Sequence, residues 1–157
     1  MKKIIIGLII SVIILGTIGL LIKKNQTIQK VYLTNKYYDN KTQEFLQVDE
    51  KSIKKLKEET FLLYTYNSYC KFPIPCDSIF EQFMKENNIT IVSIPYDKYK
   101  KTEYVKSVKY APSVLIVHKK KVIAYLDANK DEDVDKYQDI KKFTDWVKEY
   151  IYLENKK

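Results

Sequence analysis

The chain is 157 residues long, 45% hydrophobic and 13% aromatic. That is enough for one packed domain with some length to spare, and too apolar for wholesale disorder. The net charge is +8 and every one of the 28 basic residues is lysine; nucleic-acid readers rely on the planar arginine fork, so the composition argues against that class. The basic balance reads instead as solubility, or as weak attraction to anionic lipid or wall polymer.

The first element is apolar. Ile4 to Ile22 is a run of 19 residues without a charge, preceded by Met1-Lys2-Lys3 and closed by Lys23-Lys24. As a helix it would span roughly 28 Å, the thickness of a bilayer's hydrocarbon core. No small-residue cleavage site follows it, and no cysteine near its end could accept a lipid. The run predicts an uncleaved single-pass anchor in the cell membrane. Lysine pairs flank it on both sides, so orientation rests on the very short amino end, which favours an inside N-terminus and an extracytoplasmic C-terminal domain. There, disulfides persist.

Residues 25–44 are polar and dotted with tyrosine, and read as a stalk carrying one short strand, Lys30 to Thr34. From Phe45 the periodicity sharpens. FLQVD (45–49) suits a short strand, and DEKSIKKLKEE (49–59) suits a helix capped by Asp49 with Ile53 and Leu56 on one face. FLLYTY (61–66) reads as a strand buried on both faces. DSIFEQFMKENN (77–88) aligns Ile79, Phe80, Phe83 and Met84 as a helix, and ITIVSIPYD (89–97) is a second buried strand. TEYVKSVKY (102–110) is a short helix. SVLIVHK (113–119) and KVIAYLD (121–127) are strands joined by a turn too short for a crossover, hence antiparallel. Asp135 to Leu153 forms a last helix built on Ile140, Phe143, Trp146, Val147 and Ile151. The predicted order is β-α-β-α-β-α-β-β-α, an α/β layer fold over 45–153 with 1–24 as anchor and 154–157 as tail.

Both cysteines lie in NSYCKFPIPCDS (67–78), six positions apart. In a regular helix that separation is about 9 Å, beyond the roughly 7 Å Cα limit for a disulfide. Pro73 and Pro75 break the helix between them, so a bridge is geometrically allowed, with Pro75 opening a helix and Cys76 in its first turn. Helix amides and Lys71 would make a thiol there more acidic than usual. A redox pair, a permanent staple and two unpaired thiols all remain open on these residues. A metal site lacks ligands, because His118 is the only histidine; His118 itself reads as a solvated strand-end residue. Tyr64, Tyr66 and Tyr69 read as core packing. The acidic run from Asp127 to Asp135 lacks the glycine and closing glutamate of a calcium loop, and reads as solvated.

The element order, the cysteine soon after the second strand, and Ala111-Pro112 opening the fourth together resemble the thioredoxin family over roughly Phe45 to Leu153. The similarity looks closest to membrane-anchored members, including those described as bacteriocin-transport accessory proteins. The resemblance implies a thioredoxin-like fold with a central mixed sheet flanked by helices and a cis peptide at Pro112. It also implies thiol–disulfide exchange without a dissociable cofactor, with Cys70 as nucleophile and Cys76 as resolving partner. Exported proteins or peptides would lie as an extended strand against Tyr69, Ala111 and Pro112. The chain departs from the family at three places. The cysteine spacing is C-x5-C rather than C-x-x-C, Tyr69 stands where tryptophan is usual, and Tyr64 stands where the family has a buried acid. These departures suit an alternative: a non-enzymatic accessory module, with a structural disulfide, holding a partner such as a peptide exporter.

Overall fold

The computed structural model describes residues 29–39, 41–67 and 73–155. The expected anchor, Ile4 to Ile22, lies outside them. Among the described residues no helix is long and apolar enough to cross a membrane.

Five strands form the main sheet in the order β2-β4-β3-β5-β6: β2 (Leu46–Gln47), β3 (Thr60–Tyr66), β4 (Val92–Pro95), β5 (Ser113–His118) and β6 (Lys121–Asp127). β2 and β4 run parallel to one another and β4 parallel to β3, while β5 and β6 run antiparallel. The apolar run in β3 makes it the buried central strand, with Phe61, Leu62 and Leu63 fully inaccessible. A parallel β3–β4 pair needs a crossover, and helix α1 (Cys76–Asn87) supplies it. Its predicted face, Ile79, Phe80, Phe83 and Met84, is buried. Asn88 ends it in the left-handed region at φ 52°, a conformation that asparagine tolerates, with its N–H bonded to the Met84 carbonyl. The β5–β6 hairpin turns on Lys119 and Lys120, both at positive φ as a two-residue turn demands.

Several expectations change in the structure. The helix expected over 49–59 is a single 3-10 turn, Ile53–Leu56; the Asp49 carboxylate accepts from the Lys51 and Ser52 amides and holds the chain in a local turn instead. The helix expected over 102–110 is likewise a 3-10 turn, Glu103–Lys106, while a short helix α2 (Tyr96–Tyr99) directly follows Pro95. The last helix, expected from Asp135, opens with a 3-10 turn (Asp135–Tyr137) and becomes α4 (Ile140–Tyr150) where Asp139 caps the Lys142 amide. The acidic run before it contains a short helix, α3 (Asp131–Val134).

At 31–38 the short strand expected within Lys30 to Thr34 forms, but the segment packs on the domain instead of standing off as a stalk. Val31–Tyr32 (β1) pairs in parallel with Ile151–Tyr152 (β7), and Leu33, Tyr37 and Tyr38 are buried in the core. The polar composition misled because tyrosine buries its ring while its hydroxyl finds a partner. The Tyr37 phenol donates to the Glu59 carboxylate, and the Tyr38 phenol donates to the Tyr152 carbonyl.

Candidate functional site

The end of the sheet where β3 stops brings two of the sequence-derived candidates together. β3 and β5 are in register with Thr65 opposite Ser113, so the exit of β3 lies beside Ala111-Pro112. Asn67, just past β3, donates its side-chain amide to the Ala111 carbonyl at 3.0 Å. The Ala111-Pro112 peptide is cis. Tyr69 and Cys70 lie outside the described residues.

The chain is described again from Pro73, and Cys76 is the first residue of α1, 1% exposed. Pro75, at φ −56° and ψ 130°, sets the helix entry and accepts the Ser78 amide at its carbonyl. The acid next to Cys76, Asp77, accepts from the Tyr64 phenol at 2.7 Å. Tyr64 therefore places a hydroxyl, fixed by a helix carboxylate, at the position on β3 where the family resemblance expects an acid. It also packs edge-on against Phe80 at 4.8 Å and tilted against Phe45 at 5.6 Å. Its reading as core packing is met, with a polar contact in addition.

Two residues that sequence reasoning passed over complete the surroundings of Cys76. Tyr137 is fully buried, packs on Phe80 and donates its hydroxyl to the Leu126 carbonyl at 2.8 Å. Burial pushes its phenol well above the ordinary tyrosine range, and negative charge on the Cys76 sulfur pushes the same way. Gln138 then grips the segment leading into Cys76 at both backbone groups of one residue. Its side-chain oxygen accepts from the Ile74 N–H at 3.0 Å and its nitrogen donates to the Ile74 carbonyl at 2.9 Å. Tyr137 and Gln138, expected within the last helix, thus reach the segment that leads into the cysteine. The acidic run before them, expected to be solvated, is exposed at Asn129, Asp131, Glu132 and Asp135. Asp133 within it is buried, accepting from the Asp127 amide and pairing with Lys136. The available signal was a tyrosine–glutamine pair just before the Asp139 cap, too common a pattern to single out.

His118 stands at the end of β5, half-buried, with Nδ1 2.7 Å from the Thr60 hydroxyl. It is far along the strand from Ala111-Pro112 and takes no part in the cysteine site. Among the described residues no group of histidine, cysteine and acid side chains could hold a metal.

No protein-family model matches the chain, and no curated protein matches it. Solved structures do. A mutant thioredoxin from Halobacterium salinarum NRC-1 is similar at 16% identity and a TM-score of 0.50, over 72% of this chain and 96% of that one. A thioredoxin from Trypanosoma brucei brucei is similar at 14% identity and 0.45, over 75% and 99%. Thioredoxin f2 from Chlamydomonas reinhardtii follows at 18% and 0.44, over 59% and 91%. The likeness is one of fold: a mixed sheet flanked by helices, a thioredoxin-like arrangement that this chain has.

Proposed function

We propose that the chain is a membrane-anchored, extracytoplasmic thiol–disulfide exchange protein acting on exported proteins or peptides, with Ile4 to Ile22 as its single-pass anchor. The observation that carries this reading is the place of Cys76: a sulfur in the first turn of α1, just past the central strand of a thioredoxin-like fold. A helix N-terminus favours the thiolate, the form that exchanges. Pro73 and Pro75 cannot both sit inside a helix, and a non-helical approach to Cys76 is what a second thiol needs to come within reach.

In the reducing direction, the Cys70 thiolate attacks one sulfur of a substrate disulfide. That bond breaks, one substrate sulfur leaves as thiolate and takes a proton, and a Cys70–substrate mixed disulfide forms. The Cys76 sulfur, having given up its proton, then attacks the Cys70 sulfur. The second substrate thiol is released and two electrons have passed from the cysteine pair to the substrate. The same steps reversed oxidise a substrate dithiol. Ala111 and Pro112, with Tyr69, would flank the substrate strand.

The test is a redox titration of the full chain with both single-cysteine variants. Exchange predicts a potential between roughly −270 and −120 mV, loss of activity in Cys70→Ser, and trapped mixed disulfides in Cys76→Ser. Full activity in both variants would end the reading. One observation favours a second reading, a binding module with a permanent staple: Cys76 is only 1% exposed beneath the Tyr137 loop. A potential below about −300 mV would establish that alternative.

A further inference from the structure

At the other end of α4 from the cysteine, the small β1–β7 sheet presents an outward face with no role in exchange. Strand residues alternate sides. Ile151 turns into the core at 1% exposed, so its neighbour Tyr152 turns outward, as does Tyr32, with which it is in register. The two rings stack with centroids 4.5 Å apart and are 44% and 39% exposed. The Lys30 ammonium sits over the Tyr152 ring at 5.9 Å. Lys148 joins them around a shallow concavity of about 390 Å³, where, among the described residues, Glu154 is the one acid against two cations. The pair is held from behind, because the Tyr152 carbonyl accepts from the buried Tyr38 phenol.

Tyrosine with a wet hydroxyl and an apolar ring, flanked by lysine, is the composition of a membrane-interface belt. The chain's own order brings a membrane to it. Eight residues carry the chain from Ile22, the end of the apolar run, to Lys30, at most about 28 Å when extended. Lys23 and Lys24 add two further cations on the way.

We infer that the face formed by Lys30, Tyr32, Lys148 and Tyr152 docks on an anionic lipid surface, the tyrosines at headgroup depth and the lysines on lipid phosphates. The inference rests on the anchor reading above. It has a consequence for the exchange site. α4 leads from Gln138, which grips the Cys76 segment, to Ile151, roughly 16 Å at helical rise. Docking at β7 therefore holds the cysteine end of the domain away from the bilayer, toward chains emerging from it.

The experiment places the full chain in vesicles of phosphatidylcholine, with or without phosphatidylglycerol, each doped with a headgroup spin-labelled lipid. A Tyr152→Trp reporter is read as its difference from the parent chain, which keeps Trp146. Docking requires stronger quenching of the reporter in the anionic vesicles. Lys30→Gln and Lys148→Gln should each weaken the docking equilibrium about fivefold, with folding checked by circular dichroism, and high salt should act the same way. An unquenched reporter, or equal quenching in both lipids, overturns the inference. So does an emission shift that grows with protein concentration in lipid-free detergent, which would give the face to a second copy of the chain. Alkaline extraction of the same vesicles reads the anchor separately. A chain that resists extraction with its reporter unquenched is anchored but not docked, whereas a chain that is extracted has lost the anchor reading.

Discussion

The N-terminal segment 31–38 and the loop 127–139 are both polar, tyrosine-bearing stretches, and buried tyrosines fasten both to the domain. They fasten opposite ends of the same sheet. The first is bonded to the start of β3, where the Thr34 amide donates to the Thr60 carbonyl and the Thr60 amide to the Thr34 hydroxyl. The second reaches the finish of β3, where Tyr137 and Gln138 hold the approach to Cys76. One region is a clasp on the sheet remote from the cysteine; the other is a cover on the cysteine itself. Both regions hold the fold together, but only the second bears on thiol access, and substitutions should separate the two.

The largest effect is expected at the cover. Tyr137→Ala removes a fully buried ring from contact with Phe80 and should cost about 3–5 kcal/mol, as deletions of buried aromatics do. It should also expose the sulfur beneath. In a Cys70→Ser background, alkylation of native Cys76 should accelerate by an order of magnitude or more, while urea unfolding records the loss of stability. Unchanged alkylation in a folded variant would show that the loop does not cover the cysteine.

Next comes the clasp. The Tyr38 hydroxyl accepts from the Leu33 amide at 2.9 Å and donates to the Tyr152 carbonyl at 2.7 Å. Tyr38→Phe leaves the buried Leu33 amide without that acceptor, and should cost about 1–3 kcal/mol. Hydrogen exchange should quicken at Val31 and Tyr32, whose strand loses its backing, and Cys76 alkylation in the folded state should not change. Coupling between the two readouts would erase the distinction between clasp and cover.

What the sequence made legible follows the same line. The β3 run, the α1 face and β5 are dense in apolar or β-branched residues, and their burial follows from the sequence pattern alone. Cys76 in the first turn of α1 followed from Pro75, whose fixed φ suits a helix entry. The misread stretches are those whose partners lie far away along the chain. Tyr38 bonds residue 152 and Gln138 bonds residue 74, and no local pattern announces such a pairing. The expected helix at 49–59 failed for the converse reason: the Asp49 side chain satisfies nearby amides locally and stops the turn from propagating. Tyr64 was legible as core, but its bond to Asp77 needed β3 and α1 in place.

A gentler break in the cover is Gln138→Ala. It deletes both bonds to the Ile74 backbone, and since Ile74 and the bonds themselves are exposed, water replaces part of what is lost. The expected cost is about 0.5–1.5 kcal/mol. Cys76 alkylation should rise a few-fold, with Val31 and Tyr32 exchange unaffected. Gln138→Glu keeps the acceptor for the Ile74 N–H but not the donor to its carbonyl, and should fall between the two. If Gln138→Glu instead behaves like Gln138→Ala, the carbonyl bond is the one that matters.

The smallest effect tests the clasp through pH. A neutral His118 ring can accept the Thr60 hydroxyl at Nδ1, whereas a protonated ring can only donate there, so acid disturbs the residue that holds Thr34. Burial lowers the His118 pKa, and the neighbouring Lys119 charge lowers it further. The unfolded chain therefore takes up the proton first. The stability from His118 is intact above its unfolded value of about 6.5 and declines as pH falls from there toward the lower folded value. The ring is only half-buried, so the decline should be slight. His118→Gln should remove this segment of the pH–stability curve measured by urea unfolding, and leave the alkylation rate of Cys76 as it was. An acid-side decline that persists undiminished in His118→Gln would assign it to the carboxylates and cut His118 out of the clasp.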